Sequence, residues 1–306
     1  MTQNWTTTNI PDLTGKVVIV TGGNSGVGYE AAKEFARKGA QTILACRSIQ
    51  KGQAAIDLIR KDIAAAPAEI MQLDLASLAS VRSFAKTFKS KFERLDILVN
   101  NAGIMWLPDG KTEDGYERHF GTNHLGHFAL TGLLIDHLQK TPGSRVVTVS
   151  SIGHRSGVMD FDDLMFERGN DNQRQEVYGR SKLANLLFTY ELQRRLEFLQ
   201  SNVMAIASHP GMSNTNLLGK PESPWFFRLV MPLAGIMVQS AGMGALPTLR
   251  ASVDPDAKGG QYYGPNGKNE VRGYPVIVTS SDASHDLEDA RKLWEVSEEL
   301  TGVNYL

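Results

Sequence analysis

Short runs of β-branched and aliphatic residues recur along the chain, each followed by a stretch whose apolar positions fall three and four apart. KVVIVT (16–21) is the first such run. With no polar residue from Val17 to Val20 it reads as a strand covered on both faces. Over 25–38 the spacing turns helical, with Val27, Ala31, Ala32, Phe35 and Ala36 on one side. QTILAC, EIMQLD, LDILVN, SRVVTVSS and NVMAIAS repeat the strand pattern, and PVIVT (275–279) supplies a seventh. Helical stretches are expected at 49–63, 78–92, about 113–139, 177–199 and about 287–300. Strict alternation of strand and helix predicts an α/β chain with a parallel sheet flanked by helices. Right-handed crossovers make that sheet doubly wound. No linker, repeat or low-complexity tract interrupts it, so 1–306 reads as a single domain. Two segments fall outside the alternation, 153–176 and 212–239. Each follows the carboxyl end of a strand, where ligands bind in such sheets, and so each is a candidate substrate-site segment.

Composition narrows the functional classes. The net charge of −1 gives no broad nucleic-acid footprint. A single cysteine, Cys46, excludes an intrachain disulfide. It favours a reducing compartment, and a cytoplasmic location is the expectation. The opening residues MTQNWTTTNIPDLTGK lack the basic and apolar regions of a signal peptide. WFFRLVMPLAGIMV (225–238) is too short to span a bilayer and is broken by Arg228 and Pro232, although it could lie at an interface. No histidine shows zinc-ligand spacing, so no metal is expected; His124 and His127 read as helix packing or surface, and His154 and His209 as lying near the site without a catalytic role.

The first strand runs into TGGNSGVG, with Gly22, Gly26 and Gly28 spaced G-x-x-x-G-x-G around Asn24, Ser25 and Val27. A tight strand-to-helix turn of this kind points backbone N–H groups and a helix N-terminus at a pyrophosphate. The second strand ends in LACRS. Where a carboxylate would accept from ribose hydroxyls and repel a 2′-phosphate, Arg47 stands instead. A guanidinium pairs well with phosphate, so NADP(H) is expected over NAD(H). Tyr178 and Lys182 lie at i and i+4 in VYGRSKLANLLF, on one helix face. A free phenol has a pKa of about 10, and an ammonium beside it favours phenolate, by about 2–3 units if the coupling is close.

TG-x-x-x-G-x-G, NNAG (100–103), the serines of VTVSS (147–151) and Y-x-x-x-K, in that order, resemble the short-chain dehydrogenase/reductase family over nearly the whole chain from about Thr14. TGGNSGVG, LACRS, NHLGHF, VSSIGHR, YGRSKLANLLF and HPGMSNTNL look closest to its retinol-dehydrogenase-like, mostly NADP-using members. The resemblance implies a seven-stranded Rossmann sheet and interconversion of a carbonyl and an alcohol by hydride transfer. It implies Tyr178 as general acid or base, Lys182 on the nicotinamide ribose, and Ser151, ahead of Ser150, on the substrate carbonyl. Asn123 matches the helix-kinking residue that holds a water relay. Asn101, Ala102 and Gly103 match a segment supporting the cofactor, Asp74 and Leu75 the adenine contacts, and Pro210, Gly211 and Thr215 the nicotinamide amide contacts. Members commonly pair through the helices beside the fifth strand, so a homodimer or homotetramer is one expectation. Met159, Phe161, Leu164, Met165 and Phe166, with Trp225, Phe226, Phe227 and Met231, suit an apolar pocket for an apolar aldehyde, ketone or alcohol. The competing class is a non-catalytic NADPH-binding regulator.

Overall fold

At the centre lies β1 (Val17–Thr21), with all five residues buried. The computed structural model describes residues 4–169, 174–213 and 238–306. On one side of β1 lie β2 (Gln41–Cys46) and β3 (Ala68–Gln72). On the other follow β4 (Ile97–Asn100), β5 (Arg145–Val149), β6 (Met204–Ser208), β7 (Tyr262–Pro265) and β8 (Pro275–Ile277). β1 to β7 are parallel, whereas β8 returns antiparallel on β7. The strand order therefore turns back between β1 and β4, and a crevice opens at their carboxyl ends.

Side-chain alternation divides the core. Val17 and Ile19 join the cluster holding Phe88, Phe128 and Trp294; Val18 and Val20 join the one holding Phe35 and Leu246. That is the period-two pattern of a strand covered by helices on both faces. Each fully buried aliphatic side chain of β1 contributes roughly 1.5–3 kcal/mol of transfer free energy. The helices are α1 (Gly26–Arg37), α2 (Ile49–Asp62), α3 (Leu78–Lys91), α4 (Gly126–Gln139), α5 (Arg174–Phe198), α6 (Ala241–Val253) and α7 (Leu287–Thr301). Ser48 caps α2 by accepting from the Lys51 amide, and Asp286 caps α7 by accepting from Glu288 and Asp289. α7 lies across α4 and α5. Its Trp294 ring is seated 5.1 Å from Phe128, 5.9 Å from Phe188 and 4.8 Å from Tyr305, with the Arg195 guanidinium 4.3 Å above it. Among the described residues no helix is long and apolar enough to cross a membrane.

The sheet has eight strands rather than seven. PVIVT is not the seventh parallel strand but the short antiparallel edge β8; the seventh is YYGP, whose glycine and proline disguise it. Proline is tolerated there because Pro265 pairs with Pro275 at the hairpin end, where ladder donors are dispensable. Helical winding after β4 begins at Arg118, not near 113: Gly115 at φ 89° and the Lys111–Glu117 bridge hold the preceding residues in a turn. From Phe120 to Leu125 the winding is π-helical. α6 carries two glycines and an internal proline, a composition that conceals a helix.

Candidate active site

The crevice has two lobes, of about 660 Å³ and about 270 Å³. Gly22, Asn24, Ser25 and Gly26 line both, with Ala102 and Gly103 opposite. Ser25 is the N-cap residue of α1, yet its hydroxyl makes no cap bond to its own helix. Gly22 and Gly26 take positive φ, 65° and 58°, which a turn this tight requires. A Cβ on Gly28 would stand 2.6 Å from the Gly22 carbonyl oxygen, so glycine lets α1 close onto the turn. Val27 and Gly28 line the smaller lobe. The larger lobe runs past Arg47, Ser48, Lys51, Asp74 and Leu75. Arg47 is exposed, and Asp74 Oδ1 accepts from the Ala76 amide in a turn of its own. A cradle open to backbone, with two cations along one lobe, fits a phosphorylated dinucleotide.

The smaller lobe holds Ile104, Val149, Ser150, Tyr178, Lys182 and Pro210. Ser151 follows β5; its hydroxyl lies beside the Tyr178 ring and accepts from the Gly153 amide at 3.1 Å. Ser150 is turned inward and donates to the Lys182 carbonyl at 2.8 Å. The backbone at Gly153 lies against the phenol ring; a Cβ there would be 3.1 Å from Tyr178 Cε1. Lys182 Nζ donates to the Val149 carbonyl at 3.0 Å and lies 5.9 Å from the centroid of the Tyr178 ring. A Cβ on Gly103 would be 3.3 Å from that Nζ, so glycine keeps the space beside the ammonium open.

Asn123 lies in the π-helical segment, behind the crevice wall. Its Oδ1 accepts from the Ile104 amide at 2.8 Å, and its Nδ2 donates to the Ile104 carbonyl at 3.0 Å and to Ser181 Oγ at 2.9 Å. It thereby ties the residues after β4 to the helix of Tyr178. Asn101 Nδ2 donates to the Thr21 carbonyl at 2.7 Å, fixing NNAG against the glycine turn. Gly211 has φ 62° and packs on the backbone of Glu270 and Val271; Thr215 lies outside the described residues.

Burial sets the proton affinities. It raises the Tyr178 pKa above its ordinary value, with the Ser151 hydroxyl pulling the other way. It lowers Lys182 to about 8. The expected downward shift of the phenol by the ammonium is therefore not what the protein atoms produce: burial raises the phenol, and Nζ is directed at Val149.

The apolar residues before Tyr178 do not gather around it. Met159, Phe161, Leu164 and Met165 pack with Phe120, Leu183, Leu187 and Leu293 in a satellite core between α5 and α7. Phe166 lies against the Arg180 guanidinium, 4.8 Å away. These five are framework rather than pocket. Trp225, Phe226, Phe227 and Met231 lie outside the described residues. His124 and His127 are buried, not at the surface. Lys51, Ile104, Thr122 and Val149 line the crevice without having been singled out in the sequence. For Lys51 a signal existed: a second cation four residues beyond Arg47, inside the first turn of α2.

Residues 16–162 match the family model described as short chain dehydrogenase. Human retinol dehydrogenase 13 is 40% identical over 95% of this chain and 86% of its own. A crystal structure of a Mycobacterium paratuberculosis protein is 39% identical, with a TM-score of 0.82, covering 99% of this chain and all of the other. A short chain dehydrogenase from Burkholderia cenocepacia, solved in complex with NADP, is 25% identical with a TM-score of 0.60 over 79% of this chain and 92% of that one. Similarity that extends from the glycine turn through the Tyr178 helix to the last strands places this chain in the short-chain dehydrogenase/reductase family, close to the retinol dehydrogenases, as an oxidoreductase.

Proposed function

We propose that this protein is an NADP(H)-dependent oxidoreductase that interconverts a carbonyl and an alcohol, with Tyr178 giving or taking the proton. One observation carries the reading: Tyr178 and Lys182 line the smaller lobe of a glycine-lined crevice, with the Ser151 hydroxyl beside the phenol. The turn at Gly22–Gly28 would hold the pyrophosphate, Arg47 and Lys51 the 2′-phosphate, and Lys182 a ribose. The cofactor, when bound, supplies the hydride. Ser151 and Tyr178 then present two hydroxyls to one oxygen, and directed donors of this kind stabilise a developing alkoxide. In reduction Tyr178 Oη–H gives that oxygen its proton; in oxidation the phenolate takes it back. The Burkholderia relative's NADP supports the cofactor assignment.

For the substrate we infer an aldehyde, ketone or alcohol with a sizeable apolar body. Support comes from the retinol dehydrogenase names of relatives and from the apolar composition of 225–238. It does not come from Met159 to Phe166, which are occupied in packing. Pairing through α4 and α5 would need a surface that α7 already covers, so any homodimer or homotetramer would use another face.

The test is NADPH oxidation across a panel of apolar aldehydes and ketones, in wild type and Tyr178→Phe. The variant should fold, bind NADPH with unchanged affinity and lose about 10²–10⁴-fold in kcat, the usual worth of a positioned proton donor. A near-normal rate in Tyr178→Phe refutes the assignment. NADPH binding without turnover of any carbonyl by the wild type favours a regulator instead.

A further inference from the structure

His127 is fully buried on the first turn of α4, yet its ring touches neither lobe of the crevice. Its Nδ1 lies 2.9 Å from the carbonyl oxygen of Asn123, and its Nε2 lies 2.9 Å from Thr21 Oγ1. The carbonyl can only accept, so Nδ1 carries the hydrogen and Nε2 is left as an acceptor. Thr21 Oγ1 in turn accepts the amides of Asn101 at 2.8 Å and Ala102 at 2.9 Å. Its own hydrogen is thus directed to His127, with the Val99 carbonyl, at 3.2 Å, as the longer alternative. A protonated ring could not accept from Thr21, and burial, with Lys182 adding to it, holds the His127 pKa down at about 4.

One imidazole therefore joins three elements that must keep register. Thr21 is the residue before Gly22, where the glycine turn starts. Asn101 and Ala102 form the opposite wall of the crevice. Asn123 is the residue whose side chain clamps Ile104 and Ser181. We propose that His127 is a positioning residue that couples the dinucleotide turn to the π-helical segment behind the proton-transfer pair, through one bond on each ring nitrogen. The functional consequence rests on the oxidoreductase reading above. The coupling itself is a property of the fold and can be read from cofactor binding alone.

The two bonds can be removed separately. Asn places an amide nitrogen where Nδ1 stood, keeping the Asn123 bond and losing Thr21. Gln places an amide oxygen where Nε2 stood, keeping Thr21 and losing Asn123. Three measurements are made on each variant: thermal midpoint, NADPH Kd by fluorescence titration, and kcat with saturating NADPH. His127→Asn is expected to weaken NADPH binding by about tenfold, the scale of one buried hydrogen bond, with kcat nearly kept. His127→Gln is expected to lower kcat by about tenfold with the Kd nearly kept. His127→Phe should lose both. Crossed effects of this kind do not arise from general loosening, which moves all three readings together. Proportional losses in Asn and Gln, or wild-type values in both, overturn the proposal. Should the wild type turn over no carbonyl, the oxidoreductase reading falls, while the Kd contrast between Asn and Gln still decides whether His127 holds the turn.

Discussion

Replacing Gly28 with alanine asks how closely α1 must approach the turn it follows. A Cβ at 28 would lie 2.6 Å from the Gly22 carbonyl oxygen and closer still to Asn101 Nδ2. Carbon–oxygen contacts settle near 3.3 Å, so something must yield by about 0.7 Å. The carbonyl belongs to the turn itself and cannot withdraw without moving residues 21–23. The Asn101 amide can swing away, but it then abandons the Thr21 carbonyl, to which it donates at 2.7 Å. Overpacking costs about 1–3 kcal/mol. A buried partner left without its bond costs about 1–3 kcal/mol more. Alanine recovers about 1 kcal/mol over glycine within a helix. The balance is a loss of roughly 3 kcal/mol, which for a chain of this size lowers the thermal midpoint by about 5 °C.

Gly242→Ala is the control. Gly242 is also near the start of a helix, its φ is ordinary, and the nearest atoms to a new Cβ are 3.9 Å away. That substitution should be neutral or stabilise by about 0.4–1 kcal/mol. The assay is urea unfolding of both variants, with and without NADPH. Gly28→Ala should shift the midpoint down and weaken NADPH binding at least tenfold, because the displaced turn carries the amides that face the crevice. If Gly28→Ala is as stable as Gly242→Ala and binds NADPH normally, the close approach of helix and turn is not what glycine is there for.

Two further outcomes are expected. Arg47→Asp should lower the preference for NADPH over NADH by about 10–100-fold in kcat/KM, the worth of one charge-assisted bond, leaving a residue of preference that Lys51→Ala removes; equal use of both cofactors by the wild type would sink this. Burial lowers His124 to about 3 and His127 and His154 to about 4, so the unfolded chain binds their protons below about pH 6.5 while the folded chain does not. Stability should therefore fall as pH drops from about 6.5 towards 4, by about 4 kcal/mol per pH unit near pH 5 if all three contribute, and a flat urea midpoint between pH 7 and 5 would show that they do not.

Elements with unbroken apolar runs were legible in the sequence, because a strand buried on both faces has no other way to be written. β1 to β6 and most of the helices between them fall where the periodicity places them; the helix after β4 starts later, at Arg118. β7 and α6 were not legible, since YYGP and AGMGALP carry residues that signal turns, and only tertiary packing overrides them. At the site, fixed spacing was readable: Tyr178 and Lys182 lie on one helix, and the glycines lie in one turn. Partnerships between distant segments were not. His127 and Thr21 are 106 residues apart, and nothing near either announces the other. The apolar residues at 159–166 misled for a related reason: composition records that they must be buried, not whether a substrate or a neighbouring helix buries them.

The same limit applies to the tyrosine and lysine. Their spacing brings the groups onto one face, and spacing alone would predict a lowered phenol pKa. Spacing, however, fixes neither where Nζ points nor how dry the phenol is. Nζ is directed at the Val149 carbonyl, and burial raises Tyr178 while lowering Lys182 to about 8. At pH 7 the fold thus holds a protonated phenol beside a lysine that is still mostly charged. That is the species a proton donor needs, with the Ser151 hydroxyl beside the phenol. Taking a proton instead requires phenolate, which burial disfavours. On the proposed mechanism, the protein atoms by themselves would favour the reductive step, and the oxidative step would depend on charge that enters the crevice with its ligands.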